Sequence, residues 1–292
     1  MHTTPTPLRP EPTAYEPRVI AVTSGKGGVG KSVISANVAV ACASQGRRVL
    51  LIDADLALAN LDLLLGVEAR YTVRDVLDGK ASIEEAIVEG PRGVSLLAAC
   101  SGDVELAALG GKARMNLFDA IDSLEQRYDT VIVDTGAGVG SNATGFASAA
   151  QQVVVVVTPD PTSMADAYAM IKVLSQRCHV ERVSLVVNQA SGAVEADSVV
   201  DRLVALTQRF LDVTVVPVGF VYADAAVSRS VRACEPLVSS LPSTSASSSL
   251  RALAKRLLSE PTPPHGSVAA GPSLFWKRLM GVDEAEGRDG GQ

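Results

Sequence analysis

Residues 25–32 read Gly25-Lys26-Gly27-Gly28-Val29-Gly30-Lys31-Ser32, directly after the β-branched run Val19–Thr23 and directly before the helix-like stretch Ser32–Gln45. The eight residues satisfy G-x-x-x-x-G-K-[ST], the pattern of a phosphate-binding loop between a strand and a helix. Each part has a physical task. The glycines let the backbone N–H groups of Gly25 to Gly30 turn inward around phosphate oxygens, and the helix that follows adds the positive end of its dipole. Lys31 is placed to reach the β- and γ-phosphates, and the Ser32 hydroxyl to ligand Mg²⁺. The expected ligands are therefore ATP and Mg²⁺. The stretch also satisfies G-x-G-x-x-G at Gly25, Gly27 and Gly30, with Asp53 standing 23 residues beyond Gly30, as in a dinucleotide site. That alternative leaves Lys31 and Ser32 without a role.

Outward from the loop, short apolar runs alternate with helical stretches. Candidate strands are Val19–Thr23, Val49–Asp53, Val94–Ala98, Thr130–Asp134, Val153–Thr158, Val183–Val187 and Val213–Val218. Candidate helices are Ser32–Gln45, Arg114–Tyr128, Ser163–Gln176, Glu195–Leu211 and Ser247–Leu258. Several of the runs are apolar on both faces, as central parallel strands are. The expected fold is α/β: a doubly wound, mostly parallel sheet with helices on both faces. Composition agrees. The 292 residues are 47% hydrophobic but only 4% aromatic, so the core is built from Ala, Val and Leu. Four separated cysteines (Cys42, Cys100, Cys178, Cys234) form no C-x-x-C pair, which argues against a disulfide framework or a Cys-held cluster. Three histidines, His2, His179 and His265, provide no metal or triad constellation. No run approaches the roughly 18 apolar residues of a spanning helix, and the first residues carry no secretory apolar segment. A cytoplasmic setting is expected.

A phosphate-loop enzyme needs a strand-end carboxylate for Mg²⁺ or its waters. Val131-Ile132-Val133-Asp134 supplies one, and the following Thr135-Gly136-Ala137-Gly138 brings backbone N–H groups toward the γ-phosphate, with Gly138 as the close approach. Asp53 and Asp55 end another strand, two residues apart and hence on one side of an extended chain. One is suited to hold Mg²⁺-bound waters and the other to orient the attacking water.

The K-G-G-V-G-K-S form of the loop, with its additional Lys26, resembles the deviant Walker A ATPases of the MinD/ParA group. Asp53-Ala54-Asp55-Leu56-Ala57-Leu58-Ala59-Asn60-Leu61-Asp62 looks like that family's first switch, and Asp134-Thr135-Gly136-Ala137-Gly138 like its second. Thr158-Pro159-Asp160-Pro161-Thr162-Ser163-Met164-Ala165-Asp166-Ala167-Tyr168 is similar to the FlhG (FleN) branch, which regulates flagellar number and placement. The resemblance spans Arg18–Leu258. It implies that Lys26 crosses an ATP-sandwiched homodimer to the partner's phosphates, and that Asp55 positions or activates the attacking water. It further implies that Asp53 and Asp134 act around Mg²⁺ and that Asn188 contacts adenine, with Pro217 as a further nucleotide contact. Where the family carries Asn followed by Lys or Arg, this chain has Asn188-Gln189. An activating protein partner is implied as well, although Met1–Pro17 holds no D-Q-A-x-x-L-R-type motif for a GTPase partner. Division-site regulation and nucleoid-bound partition are the alternatives within the family. The 22 Lys/Arg against 25 Asp/Glu of Arg18–Leu258 argue against nucleic acid as the main partner.

Beyond the ATPase unit (residues 18–258), with a Pro/Thr-rich arm before it (1–17), come a Pro/Gly/Ser-rich linker (259–272), an apolar-basic segment (273–282) and an acidic tail (283–292). At about 100° per residue, Phe275, Trp276, Leu279 and Met280 cover an arc of about 140°, flanked by Lys277 and Arg278. Such a face suits an anionic membrane surface. Four part-buried side chains contribute about 4–8 kcal/mol before ordering is subtracted, so one tail binds weakly and two tails on a dimer bind far more tightly. Packing on the chain's own core or on a protein is the alternative. The single Trp of the chain, Trp276, lies in this segment.

Overall fold

The fold was read from a computed structural model that describes residues 18–55, 59–98, 124 and 127–260, and structural statements below refer to these. The strands are β1 (Arg18–Ser24), β2 (Val49–Ala54), β3 (Ile87–Glu89), β4 (Ser95–Leu97), β5 (Thr130–Ala137), β6 (Gln152–Val157), β7 (Arg182–Ala190) and β8 (Thr214–Tyr222). They form one sheet in the order β3-β4-β2-β5-β1-β6-β7-β8. Only the β3–β4 pair is antiparallel. The helices are α1 (Lys31–Ala43), α2 (Leu61–Leu65), α3 (Val73–Leu77), α4 (Ile83–Ala86), α5 (Ser141–Ala149), α6 (Pro161–Cys178), α7 (Ala193–Phe210), α8 (Ala225–Arg232), α9 (Leu237–Ser240) and α10 (Ser245–Ser259).

The continuous apolar runs have a simple cause: both faces of the sheet are covered. In β1, Val19 and Ala21 face a core shared with Phe146 of α5, Met170 and Leu174 of α6 and Leu203 of α7. The alternate residues Ile20 and Val22 face a second core shared with α1, α9 and α10, including Ile34, Val38, Leu250 and Leu257. A strand with period-two alternation between two cores has no polar face to display. Each fully buried Ile, Leu or Val contributes roughly 1.5–3 kcal/mol, so both helix layers are pinned to the sheet by the same strands.

The long strands and helices lie where the sequence puts them, with ends moved by at most four residues. Strand β3 and helices α2 to α4 are three to five residues each and give no usable periodicity. Helix α5, Ser-Asn-Ala-Thr-Gly-Phe-Ala-Ser-Ala, is small and polar and was not expected; its buried Phe146 and Ala147 hold it to the sheet. The expected helix Arg114–Tyr128 lies almost wholly outside the described residues, as do the arm 1–17, the segment 273–282 and the tail 283–292. Glu260, placed in the linker from the sequence, is buried and pairs with Arg182 at 2.7 Å and Arg256 at 2.8 Å, so the folded unit extends to it; the linker beyond it lies outside the described residues. No helix among the described residues is long and apolar enough to cross a membrane.

Strand order positions the loop. The chain leaves β1 at the middle of the sheet, with β5 on one side and β6 on the other. Connections from these strands diverge, and the crevice opens at their carboxyl ends, where ligands bind in open α/β sheets.

Candidate nucleotide-binding site

Between β1 and α1 the loop is shaped by two glycines in the left-handed region, Gly28 (φ 78°) and Gly30 (φ 90°). Gly30 is also the N-cap of α1, which has no side-chain cap and no acidic residue in its first turn. The N–H groups that open a helix have no partner within it. Here no carboxylate competes for them, which suits a site for anionic phosphate. Lys31, the first residue of α1, is 7% exposed.

Gly25 has a different constraint. A Cβ there would stand 1.9 Å from the backbone oxygen of Asp166 in α6. The loop therefore starts with backbone against backbone. On the other side, Asn188 at the end of β7 donates its Nδ2 to the Val29 carbonyl at 2.7 Å. A Cβ on Gly30 would lie 2.4 Å from that same nitrogen. The side chain read from the resemblance as an adenine contact is thus turned onto the loop itself.

Asp53 and Asp134 are register partners on β2 and β5. Both are buried. Asp134 Oδ1 accepts the Ser35 hydroxyl at 2.8 Å, and Ser32 also hydrogen-bonds to this carboxylate. Asp134 Oδ2 is buried with no hydrogen-bond partner. Burial raises the Asp134 carboxyl to about 7, with the Asp53 charge adding to the rise and Ser32, Lys31 and Ser35 opposing it. Burial likewise raises Asp53 to about 6 against three backbone N–H bonds. No group of three or more His, Cys, Asp or Glu side chains converges on a metal position among the described residues. In such sites Mg²⁺ takes one or two protein ligands and the rest from phosphate and water. The orphaned Asp134 Oδ2, with Ser32 beside it, is the donor set that matches.

The raised values have a stability consequence. A carboxyl that holds its proton more tightly folded than unfolded destabilises the fold as pH rises from its unfolded value, near 4, to its folded one. The nucleotide-free protein is therefore expected to lose stability between about pH 4 and pH 7 from Asp134. Asp134→Asn removes the charge and is expected to raise stability at pH 8 by on the order of 2 kcal/mol, after allowing for an unpartnered amide. Thermal denaturation at pH 5 and pH 8 in EDTA checks this; identical pH slopes for the two proteins would contradict it.

Lys26 is turned back within its own chain. Its Nζ donates to Thr162 Oγ1 at 2.7 Å and pairs with Asp160 Oδ1 at 3.5 Å. Asp160 caps α6 through Ser163 N–H at 2.8 Å and accepts the hydroxyls of Thr158 and Thr162, which hold its carboxyl well below the usual range. The Gly138 N–H, expected near the γ-phosphate, donates instead to Ser24 O at 2.9 Å. Pro217 lies inside β8 opposite Leu185, while Asn188 follows Val187, which pairs with Phe220. At about 3.3 Å per residue Pro217 is set well back from the carboxyl edge, and the structure does not bring it to the loop. Asp55 does join the site: a Cβ on Gly136 would be 3.7 Å from Asp55 Oδ1. Ser35, Asp160 and Thr162 were missed as partners. Asp160-Pro161-Thr162-Ser163 carries a legible helix-start signal, but nothing local shows that Lys26 reaches it.

Phosphate loop, strand-end carboxylates and sheet order together define a P-loop nucleotide-binding protein of the doubly wound class. A family profile described as an AAA domain matches residues 17–185, and the chain belongs to the MinD/ParA family of P-loop ATPases, for which nucleotide and Mg²⁺ binding and an ATP-dependent switch are general. Among its relatives is the antiactivator FleN of Pseudomonas aeruginosa, 39% identical over 265 residues that cover 90% of this chain and 93% of FleN. The flagellum site-determining protein YlxH of Helicobacter pylori is 38% identical over 186 residues, 64% of this chain and 63% of its own length. Among solved structures, the MinC:MinD cell division protein complex of Aquifex aeolicus matches with a TM-score of 0.68 at 30% identity, over 84% of this chain and 98% of that one.

Proposed function

We propose that this chain is an ATP-driven switch that dimerises around ATP, hydrolyses it slowly, and sets the number or placement of the flagellum from the inner face of the cytoplasmic membrane. The observation that carries the flagellar reading is the 39% identity to FleN across nine-tenths of both chains. The site supports the ATPase part. In this reading Lys31 and the loop N–H groups bind the phosphates, Ser32 and Asp134 hold the metal position, and Asp55 orients the attacking water. Bound Mg²⁺ neutralises charge on the phosphate oxygens. Lys26 leaves Thr162 and Asp160 and reaches the partner subunit's phosphates, so turnover follows dimerisation and ATP serves as a timer for assembly. The second switch, from Asp134 to Gly138, reports ATP by giving up the Gly138–Ser24 bond. An activating protein partner stimulates hydrolysis.

The membrane part rests on residues 273–282, where Phe275, Trp276, Leu279 and Met280 form the apolar face and Lys277 and Arg278 its basic shoulders. With ATP, the full chain is expected to sediment with liposomes containing anionic lipid, and a chain truncated after Glu260, which keeps the ion pairs of that residue with Arg182 and Arg256, is expected not to. With ADP both stay in the supernatant. Tail-independent sedimentation would sink the membrane reading. In cells, deletion of the gene is expected to change flagellar number or position. Minicells with normal flagella would point instead to MinD-like division-site control, which the 30% identity to the Aquifex MinD structure keeps as the second reading.

A further inference from the structure

Asp53 and Asp134 stand side by side on β2 and β5, yet their oxygens are engaged differently. Asp53 Oδ1 accepts the Asp55 N–H at 3.1 Å. Its Oδ2 accepts the N–H of Asn60 at 3.0 Å and of Leu61 at 3.2 Å. Three backbone donors thus occupy both oxygens of a side chain that is 4% exposed. Asp134 accepts hydroxyls, and its Oδ2 is left buried and unpartnered.

The two environments favour different occupants. A cation brought to either Asp53 oxygen meets N–H dipoles with their positive ends forward, and Mg²⁺ demands short, near-octahedral oxygen contacts. At Asp134 Oδ2 there is no such competitor. The donors on Asp53 also belong to one functional segment. Asn60 is the N-cap residue of α2, and its own side chain makes no cap bond. Asp53 accepts the Asn60 and Leu61 N–H groups in its place, from the end of β2. The same carboxylate holds the backbone of Asp55, whose side chain lies over Gly136, two residues past Asp134.

We infer that Asp53 is a positioning residue rather than a metal ligand: its carboxylate ties Asp55 and the start of α2 to the end of β2, and so fixes Asp55 over the second switch. This deepens the ATPase reading and rests on it for the role of Asp55. Burial is not wasted on this three-bond clamp, because a carboxylate accepting several N–H groups is a stronger organiser of backbone than a neutral acceptor, and a displacement of about 1 Å at a catalytic group lowers turnover by about 100-fold.

Two measurements on the full chain test the assignment. The first is amide hydrogen exchange at residues 55, 60 and 61 without nucleotide. Asp53→Asn keeps shape but leaves an N–H donor where one oxygen accepted, and exchange at these amides is expected to quicken at least ~10-fold, while Asp134→Asn leaves it unchanged. The second is a Mg²⁺ titration of ATP hydrolysis. Asp53→Asn is expected to lower kcat by about 10- to 100-fold with the Mg²⁺ half-saturation and ATP Kd within twofold, whereas Asp134→Asn shifts the Mg²⁺ half-saturation by ~10-fold or more. Unchanged exchange in Asp53→Asn, or an equal Mg²⁺ shift in both variants, overturns the inference. If the exchange result holds in a protein that shows no ATPase activity at all, the clamp stands and the ATPase reading fails. Should Asp53→Asn not fold, Asp53→Ser, which keeps a shorter acceptor at that place, carries the same comparison.

Discussion

Lys26→Gln is expected to lower steady-state ATP hydrolysis by about 100-fold or more while ATP affinity changes by no more than a few-fold. The split follows from where the two loop lysines sit. Lys31 opens α1, is buried, and belongs to the cradle that any bound triphosphate occupies. Lys26 is partly exposed and directed away from that cradle, onto Thr162 and Asp160 of its own chain. Ground-state ATP binding therefore does not need it. A charge that arrives only from a second subunit acts on the transition state, where negative charge spreads over the phosphoryl oxygens. The exposed pair it leaves behind is a small barrier, since such pairs contribute about 0–1 kcal/mol. Nucleotide binding by fluorescence and phosphate release over a range of protein concentration measure the two quantities. Wild-type turnover is expected to rise with protein concentration and the variant's to stay flat. Equal loss of binding and turnover would remove Lys26 from the trans role.

Gly25→Ala is expected to destabilise the chain by on the order of 3–5 kcal/mol and to lower Tm by about 10 °C, measured by thermal denaturation without nucleotide. The added methyl would meet the backbone oxygen of Asp166 at 1.9 Å and its carbon at 2.2 Å. Backbone in a helix interior has no rotamer to change. Either α6 or the loop must move, and the loop is held by Asn188 on Val29 and by the Ser24 hydroxyl on the Lys26 carbonyl at 2.7 Å. Gly28→Ala is the control: it faces open space, and only its positive φ of 78° opposes the substitution, a penalty of about 1 kcal/mol. Similar Tm values for the two variants would show that the α6 contact yields easily.

The site was legible to the extent that its parts are contiguous. The phosphate loop is eight adjacent residues, and its strand before and helix after follow from periodicity within a few residues. The strand-end position of Asp134 and of Asp53 was equally local. What those carboxylates touch was not. Residue type and strand end, which suggest Asp53 for Mg²⁺, are all that the sequence displays, while the N–H groups it accepts depend on how residues 55 and 60 to 61 return to it. Pro217 was misplaced for a related reason: β8 extends to Tyr222, four residues past its expected end, so the carboxyl edge lies beyond the proline. Helix α5 escaped because small residues such as Ala, Ser and Gly carry little amphipathic signal even when they pack on a sheet.

From the sequence alone came the fold class, the identity of the phosphate loop, the two strand-end aspartates and the apolar-basic segment around Trp276, because each is written in neighbouring residues or in a short period. Tertiary structure alone decided that Lys26 rests on Thr162, 136 residues away, that Asn188 holds the loop carbonyl of Val29 across 159 residues, and that Asp53 and Asp134 share a register while accepting from different donors. Those contacts arise from strand order. The sheet places β5 and β6 on either side of β1 and β7 beyond β6, and side chains far apart along the chain converge at one carboxyl edge that no local pattern encodes.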